Sequence, residues 1–177
     1  RADRQTEEAL RAALADAFPD HGIFGEEFGV TGGLDGRAWV IDPIDGTRSF
    51  LSGYPTFGML LAHIDEGRAL GGVIRMPALG ETFTGWQGGE ARLNGRTIRA
   101  RGTTRLDDAI LYVNEYERMA QSEPDALGRL LRTGQTRRMA YDCYPHALVV
   151  ARCIDAVTDI GLEPYDYLAL VPVIEAA

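Results

Sequence analysis

Asp42 and Asp45 stand at the end of an apolar run, Trp39-Val40-Ile41, and are followed directly by Gly46 and Thr47. A strand that stops in this way delivers two carboxylates to a sheet edge, where a ligand can reach them. Sixteen residues before Asp42, Glu26 sits in the short segment Gly25-Glu26-Glu27. Far downstream, Tyr165-Asp166-Tyr167 places another acid at the start of an apolar helix. Thr47 opens a helical turn whose free N–H groups and dipole suit a phosphate. Carboxylates beside an anion site make chemical sense when a cation lies between them. Hard oxygen ligands of this kind suit magnesium. The competing reading is that Asp-Pro-x-Asp-Gly is a solvated surface turn. The apolar strand before it, and Thr47 and Phe50 after it, count against that.

The elements that must position these residues follow from periodicity. Residues 3–17 predict an amphipathic helix with Ala9, Leu10, Ala13, Leu14 and Ala17 on its apolar stripe. A short strand and a glycine-rich loop cover 23–36. A buried strand over 38–41 should end near Pro43, which cannot donate to a ladder. Strands at 56–65 and 69–75 join at Glu66-Gly67, and further strands follow at 81–87 and 91–100, the last turned by Asn94-Gly95. This stretch predicts an antiparallel meander. Strands at 109–113, 136–140 and 156–158 then alternate with helices at 124–132, 145–153 and 166–177, an α/β pattern. The division expected is a metal-binding lobe over 1–105 and a smaller α/β lobe over 106–177 that completes the site.

The 177 residues carry a formal charge of −8, which counts against a nucleic-acid binder needing a basic face. No apolar run reaches membrane-spanning length, and no signal peptide is visible. Cys143 and Cys153 read as two buried thiols in a reducing, cytoplasmic compartment. His21, His63 and His146 show no spacing that suggests a metal site and read as structural or surface residues. The chain starts at Arg1 and closes in an apolar helical run, so both terminal segments of a longer protein are expected to lie outside it.

Trp39–Phe50 resembles the signature of the inositol monophosphatase family, of the form W-x-x-D-P-x-D-G-T-x-x-F. Ala2-Asp3 resembles the end of that family's early Asp-bearing motif, Gly25-Glu26-Glu27 its G-E-E motif, and Tyr165-Asp166 its late W-D motif with Tyr for Trp. The resemblance implies an alternating α-β-α-β-α layered sandwich and a magnesium-dependent phosphatase acting on small phosphate monoesters. It implies that Glu26, Asp42 and the Ile44 carbonyl bind one Mg2+, and that Asp42, Asp45 and Asp166 bind a second. Amides near Gly46 and Thr47 would hold the phosphate. Thr47, oriented by Asp3, would position and deprotonate the attacking water, with Glu26 also in the catalytic set. Glu27, with Asp3, would support a third, weaker metal through waters. It also implies a homodimer. Read without the resemblance, Asp3 can be a helix N-terminal charge, Glu27 a solvated acid and Arg48 either a site-mouth cation or half of a surface salt bridge; Asp166 can be a helix cap, though Pro164 before it and the motif order favour a ligand.

The substrate is less determined than the chemistry. Asp142-Cys143-Tyr144 with Leu148–Ala151, Arg48-Ser49-Phe50, and Leu162–Tyr167 resemble the histidinol-phosphatase branch of the family. L-Histidinol phosphate carries an ammonium and an imidazole, so its pocket benefits from anions, which Asp142, Asp159 and Glu163 could supply. Tyr141 stands where a glycine is usual and adds bulk to the pocket. Inositol phosphate or another polyol phosphate is the alternative substrate, and a non-catalytic metal-binding homologue the alternative class.

Overall fold

The computed structural model describes residues 1–177 and begins with helix α1, Ala2–Ala17. Its inward stripe is Glu7, Leu10, Arg11 and Leu14, while Ala9, Ala13 and Ala17, expected on that stripe, face solvent. Arg11 Nε donates to Glu7 Oε1 at 2.7 Å, so the covered face contains an ion pair. Alanine methyls carry too little area to outweigh Leu10, Leu14 and that pair in choosing the face.

Strands β1 (Gly22–Gly25) and β2 (Gly29–Thr31) form a short antiparallel pair, and β1 runs parallel to β3 (Ala38–Asp45). After helix α2 (Thr47–Ser52), the chain builds an antiparallel meander from β4 (Gly58–Asp65), β5 (Arg68–Met76), β6 (Glu81–Trp86), β7 (Arg92–Leu93) and β8 (Arg96–Thr97). The sheet order is β2-β1-β3-β4-β5-β6-β7-β8, mixed because of the β1–β3 pair. The turn residues Glu66 and Gly67 have φ of 48° and 75°, and Asn94 and Gly95 have φ of 48° and 81°. Positive φ at both central residues is the turn geometry that matches strand twist.

The second sheet is parallel, in the order β10-β9-β11. Its strands β9 (Ile110–Val113), β10 (Thr136–Met139) and β11 (Ala156–Thr158) alternate with helices α3 (Tyr116–Ser122), α4 (Pro124–Leu130) and α5 (Tyr144–Val150). Helix α3 was not expected: it buries only Met119, too little for a visible stripe. The single helix expected over 166–177 is two, α6 (Pro164–Tyr167) and α7 (Leu170–Glu175). Pro172 has no N–H to return to the Leu168 carbonyl, so a continuous helix is interrupted there. Cys153 corrects another expectation: it is exposed, whereas Cys143 is buried. Helix α5 ends before Cys153, and Arg152 at φ 66° turns the chain outward.

Val40, Leu60, Ala62, Ile74 and Met76 of the large sheet pack with Ala147, Val150, Leu170 and Val173 of the helices. Helix α7 lies on β5 and β6 at very close range. A Cβ on Gly72 would fall 2.0 Å from the Ala169 carbonyl oxygen, and one on Gly85 would fall 2.4 Å from Val173 Cα. Thus α6 and α7, which follow the second sheet in the chain, pack back onto the first. Both sheets and their covering helices form the layered α/β architecture. No helix is long and apolar enough to cross a membrane.

Candidate metal centre

Strand β3 does not end at Pro43 as the sequence suggests; it runs to Asp45 with an irregular register. Asp42 pairs with Leu60 and Asp45 with Gly58, so three steps on β3 match two on β4. Pro43 cannot donate to the ladder, and the extra residue is taken up as a bulge. The bulge matters for chemistry. Residues an odd number apart on a regular strand point to opposite faces. Here Asp42 and Asp45 instead converge. With Asp166 they place one carboxylate oxygen each within 4.8 Å of one another.

Asp42 is 2% exposed, and its Oδ1 accepts the Ile44 N–H at 3.0 Å. Asp166 belongs to a capping box at the start of α6, where its Oδ2 accepts the Glu163 N–H at 2.7 Å. It is therefore both a cap and a member of the cluster. Glu26 lies just past β1, its N–H bonded to the Ile41 carbonyl at 3.1 Å, and its carboxyl is close enough to that of Asp42 for each to affect the other's protonation. Burial, then the charges of Asp45, Glu26 and Asp166, push the Asp42 carboxyl up to about 10. Burial likewise pushes Asp45 up to about 7, against a hydrogen bond from Cys143. Glu26 and Asp166 are raised too, chiefly by burial. The charges that act most strongly on these four groups are negative. A donor set of crowded, hard oxygens lacking a cationic side chain fits a divalent ion such as Mg2+.

Glu26 is supported from below by a residue the sequence reading missed. Glu7 is fully buried. Its Oε2 accepts the Glu27 N–H at 2.8 Å, so it fixes the turn that carries both acids. The signal available in the sequence was its i, i+4 spacing to Arg11. Asp3 reaches the cluster through its charge, which helps raise Glu26.

Thr47 Oγ1 donates to the Ile44 carbonyl at 3.2 Å, so both are engaged within one turn. Gly46 has φ 80° and caps α2. Gly46, Thr47, Arg48, Asp45 and Asp166 line a cavity of about 780 Å³, together with Asp142, Asp159 and Tyr141. Glu163 is exposed and outside that lining. Asp142 is occupied by the protein itself. Its Oδ2 accepts the Ser49 hydroxyl at 2.6 Å and also the Thr56 hydroxyl. The next residue, Cys143, donates its N–H to Asp45 Oδ2 at 2.5 Å. The loop carrying Asp142 and Cys143 is thus tied to both the acidic cluster and α2. At the mouth, the Tyr141 hydroxyl donates to that of Tyr116 at 3.0 Å. Ser49, Thr56, Asn114 and His146 all belong to this wall, and of these only Ser49 fell within a motif.

The sequence model of the inositol monophosphatase family matches residues 1–177. The chain belongs to the inositol monophosphatase family. It is 38% identical to the bifunctional phosphatase IMPL2, chloroplastic, of Arabidopsis thaliana, over 99% of this chain and 51% of that protein. It is 36% identical to a histidinol-phosphatase of Chlorobaculum parvum, over 99% of this chain and 68% of that protein. The chain thus spans about half the length of the first relative and about two thirds of the second. The inositol monophosphatase of Anabaena (Nostoc) sp. PCC 7120 superposes with a TM-score of 0.90 at 30% identity, covering 99% of this chain and 71% of that one. The layered α/β fold expected from the resemblance is therefore that of the family.

Proposed function

We propose that this chain carries the catalytic centre of a magnesium-dependent phosphomonoesterase whose substrate is L-histidinol phosphate. The observation that carries the reading is the convergence of Asp42, Asp45 and Asp166 at one edge of a cavity that Gly46 and Thr47 also line. In this reading Glu26, Asp42, Asp45, Asp166 and the Ile44 carbonyl hold two Mg2+, and Glu27 with Asp3 supports a third through waters. Bound Mg2+ supplies charge neutralisation at the phosphate and a more acidic water. The N–H groups at Gly46 and Thr47 would bind the phosphate, and the Thr47 hydroxyl, oriented by Asp3, would position the attacking water and relay its proton onward to a carboxylate, with Glu26 also in the catalytic set. Arg48 stands exposed at the mouth to meet the substrate.

Membership of the family and the two named phosphatase relatives support hydrolysis of a phosphate monoester. The histidinol reading rests on the Asp142-Cys143-Tyr144 resemblance and on the Chlorobaculum relative's name. Asp159 lines the cavity as the anion for the substrate's non-phosphate end; Asp142 acts through the loop, and Glu163 through the α6 cap. That pattern leaves fewer free anions than the sequence implied, which favours inositol phosphate as the second reading. The same proposal includes a cytoplasmic homodimer, which sedimentation and cell fractionation test.

Phosphate release from L-histidinol phosphate and from myo-inositol 1-phosphate, with Mg2+ and with EDTA, decides among these. Mg2+-dependent release favouring histidinol phosphate supports the reading. Preference for inositol phosphate replaces the substrate. Undiminished hydrolysis by Asp45→Asn overturns the metal assignment.

A further inference from the structure

Asp159 sits in a hydrogen-bonded trio on the cavity wall, and its two partners, Asn114 and His146, have no part in the hydrolysis just described. Asn114 is 1% exposed, and its Nδ2 donates to Asp159 Oδ2 at 2.8 Å and to the Asp142 carbonyl at 2.9 Å. His146 Nε2 lies 3.1 Å from the same Asp159 oxygen. The Ile160 N–H donates to Asp159 Oδ1 at 2.9 Å. Asp159 and His146 side chains are only 8% and 10% exposed, yet both line the cavity.

An ionised carboxylate has about four lone-pair positions. Three are filled here by Asn114, His146 and Ile160, which leaves one. Because the carboxylate only accepts, His146 Nε2 carries the hydrogen between them. A purely space-filling role does not account for this arrangement. Three apolar side chains would fill the same volume without the desolvation cost of burying polar ones. The Asn114 Oδ1 is in addition buried without a partner, a cost that needs an explanation.

We propose that His146 is a specificity-determining positioning residue. With Asn114 it holds Asp159 so that the one remaining acceptor position reads a single N–H or O–H on the non-phosphate part of the substrate. The ligand class is a phosphate monoester of an amino alcohol or polyol, as opposed to a simple alkyl phosphate. This inference rests on the phosphatase reading above.

The test compares kcat/KM for the better of the two esters named above with that for propyl phosphate, which has no such donor. The wild-type protein prefers the donor-bearing ester. His146→Leu lowers that preference by about tenfold, through KM, as expected for losing one hydrogen bond to a charged group. His146→Gln, which can return an N–H near the place of Nε2, recovers most of it. Equal loss on both esters, no rescue by Gln, or a wild type indifferent to the donor overturns the proposal. Failure of the wild type to release phosphate from any ester shows instead that the phosphatase reading is wrong, before a variant is measured.

Discussion

Gly25 sits directly over Glu7: a Cβ on that glycine would fall 1.9 Å from Glu7 Oε1. The buried carboxylate and the bare backbone are fitted to each other, and the turn bearing Glu26 and Glu27 rests on that contact. Glu7→Ala takes the counter-charge from Arg11, which keeps only Thr31 and the Gly29 carbonyl, and leaves the Glu27 N–H without its partner. Removing one member of a buried pair costs about 3 kcal/mol. Denaturant unfolding should show a loss of that order, and calorimetric titration should show weaker Mg2+ binding. Glu7→Ala with unaltered stability and unaltered Mg2+ affinity would falsify the buttress role.

The crowded acids predict a pH dependence that bound cation removes. Asp45 is pushed up to about 7 and Asp42 to about 10, mainly by burial and then by neighbouring carboxylates. Unfolded Asp titrates near ~3.9. Both folded values are raised, so the cation-free fold binds protons that the unfolded chain releases. The cost is absent below about pH 4 and grows as pH rises toward about 7 for Asp45 and about 10 for Asp42. In EDTA the Tm should therefore fall between about pH 5 and about pH 8, and saturating Mg2+ should flatten that fall. A cation-free Tm that climbs over the same range contradicts the assignment.

Asp142→Ala separates two roles for that residue. Its carboxylate already accepts the Ser49 and Thr56 hydroxyls, and its backbone holds φ 61°. Replacement should loosen the loop that donates to Asp45 and so depress kcat on every ester to a similar degree. A loss confined to KM for a cationic substrate, as for a direct substrate contact, would count against this.

The two cysteines offer a probe of the same loop. Cys153 is exposed and should react at once with an aromatic disulfide reagent. Burial, then Asp45, push the Cys143 thiol well above its usual range, so it should react only on opening. In a Cys153→Ser background, Mg2+ should slow labelling of Cys143, because its N–H is bonded to Asp45. Labelling rates independent of Mg2+ would uncouple loop from metal centre.

Much of this was legible in the sequence where one residue type has one physical use. Asn94-Gly95 and Glu66-Gly67 marked their turns, and the Asp42–Thr47 segment marked two of the three acids that converge. Where the information was relational, the sequence was silent. Asp42 and Asp45 share a face only because Pro43 and the pairing to β4 create a bulge. Nothing local distinguishes Glu7 from Glu8 beside it, and only the fold brings the Glu27 N–H to its carboxylate. Asn114, His146 and Asp159 come from three separate segments, so no local pattern could announce their hydrogen bonds. The split between α6 and α7 was readable from Pro172, but the apolar run around it hid the break.

Gly72 and Gly85 set the height at which α7 rests on the sheet, and α6, with Asp166, is joined to α7 within a few residues. Those glycines work as spacers of zero thickness. A methyl group at either position would act as a wedge, tilting the last helices and lifting Asp166 away from Asp42 and Asp45. The spacing of the three acids is in that sense a mechanical tolerance, adjustable one carbon at a time from positions remote from the carboxylates themselves.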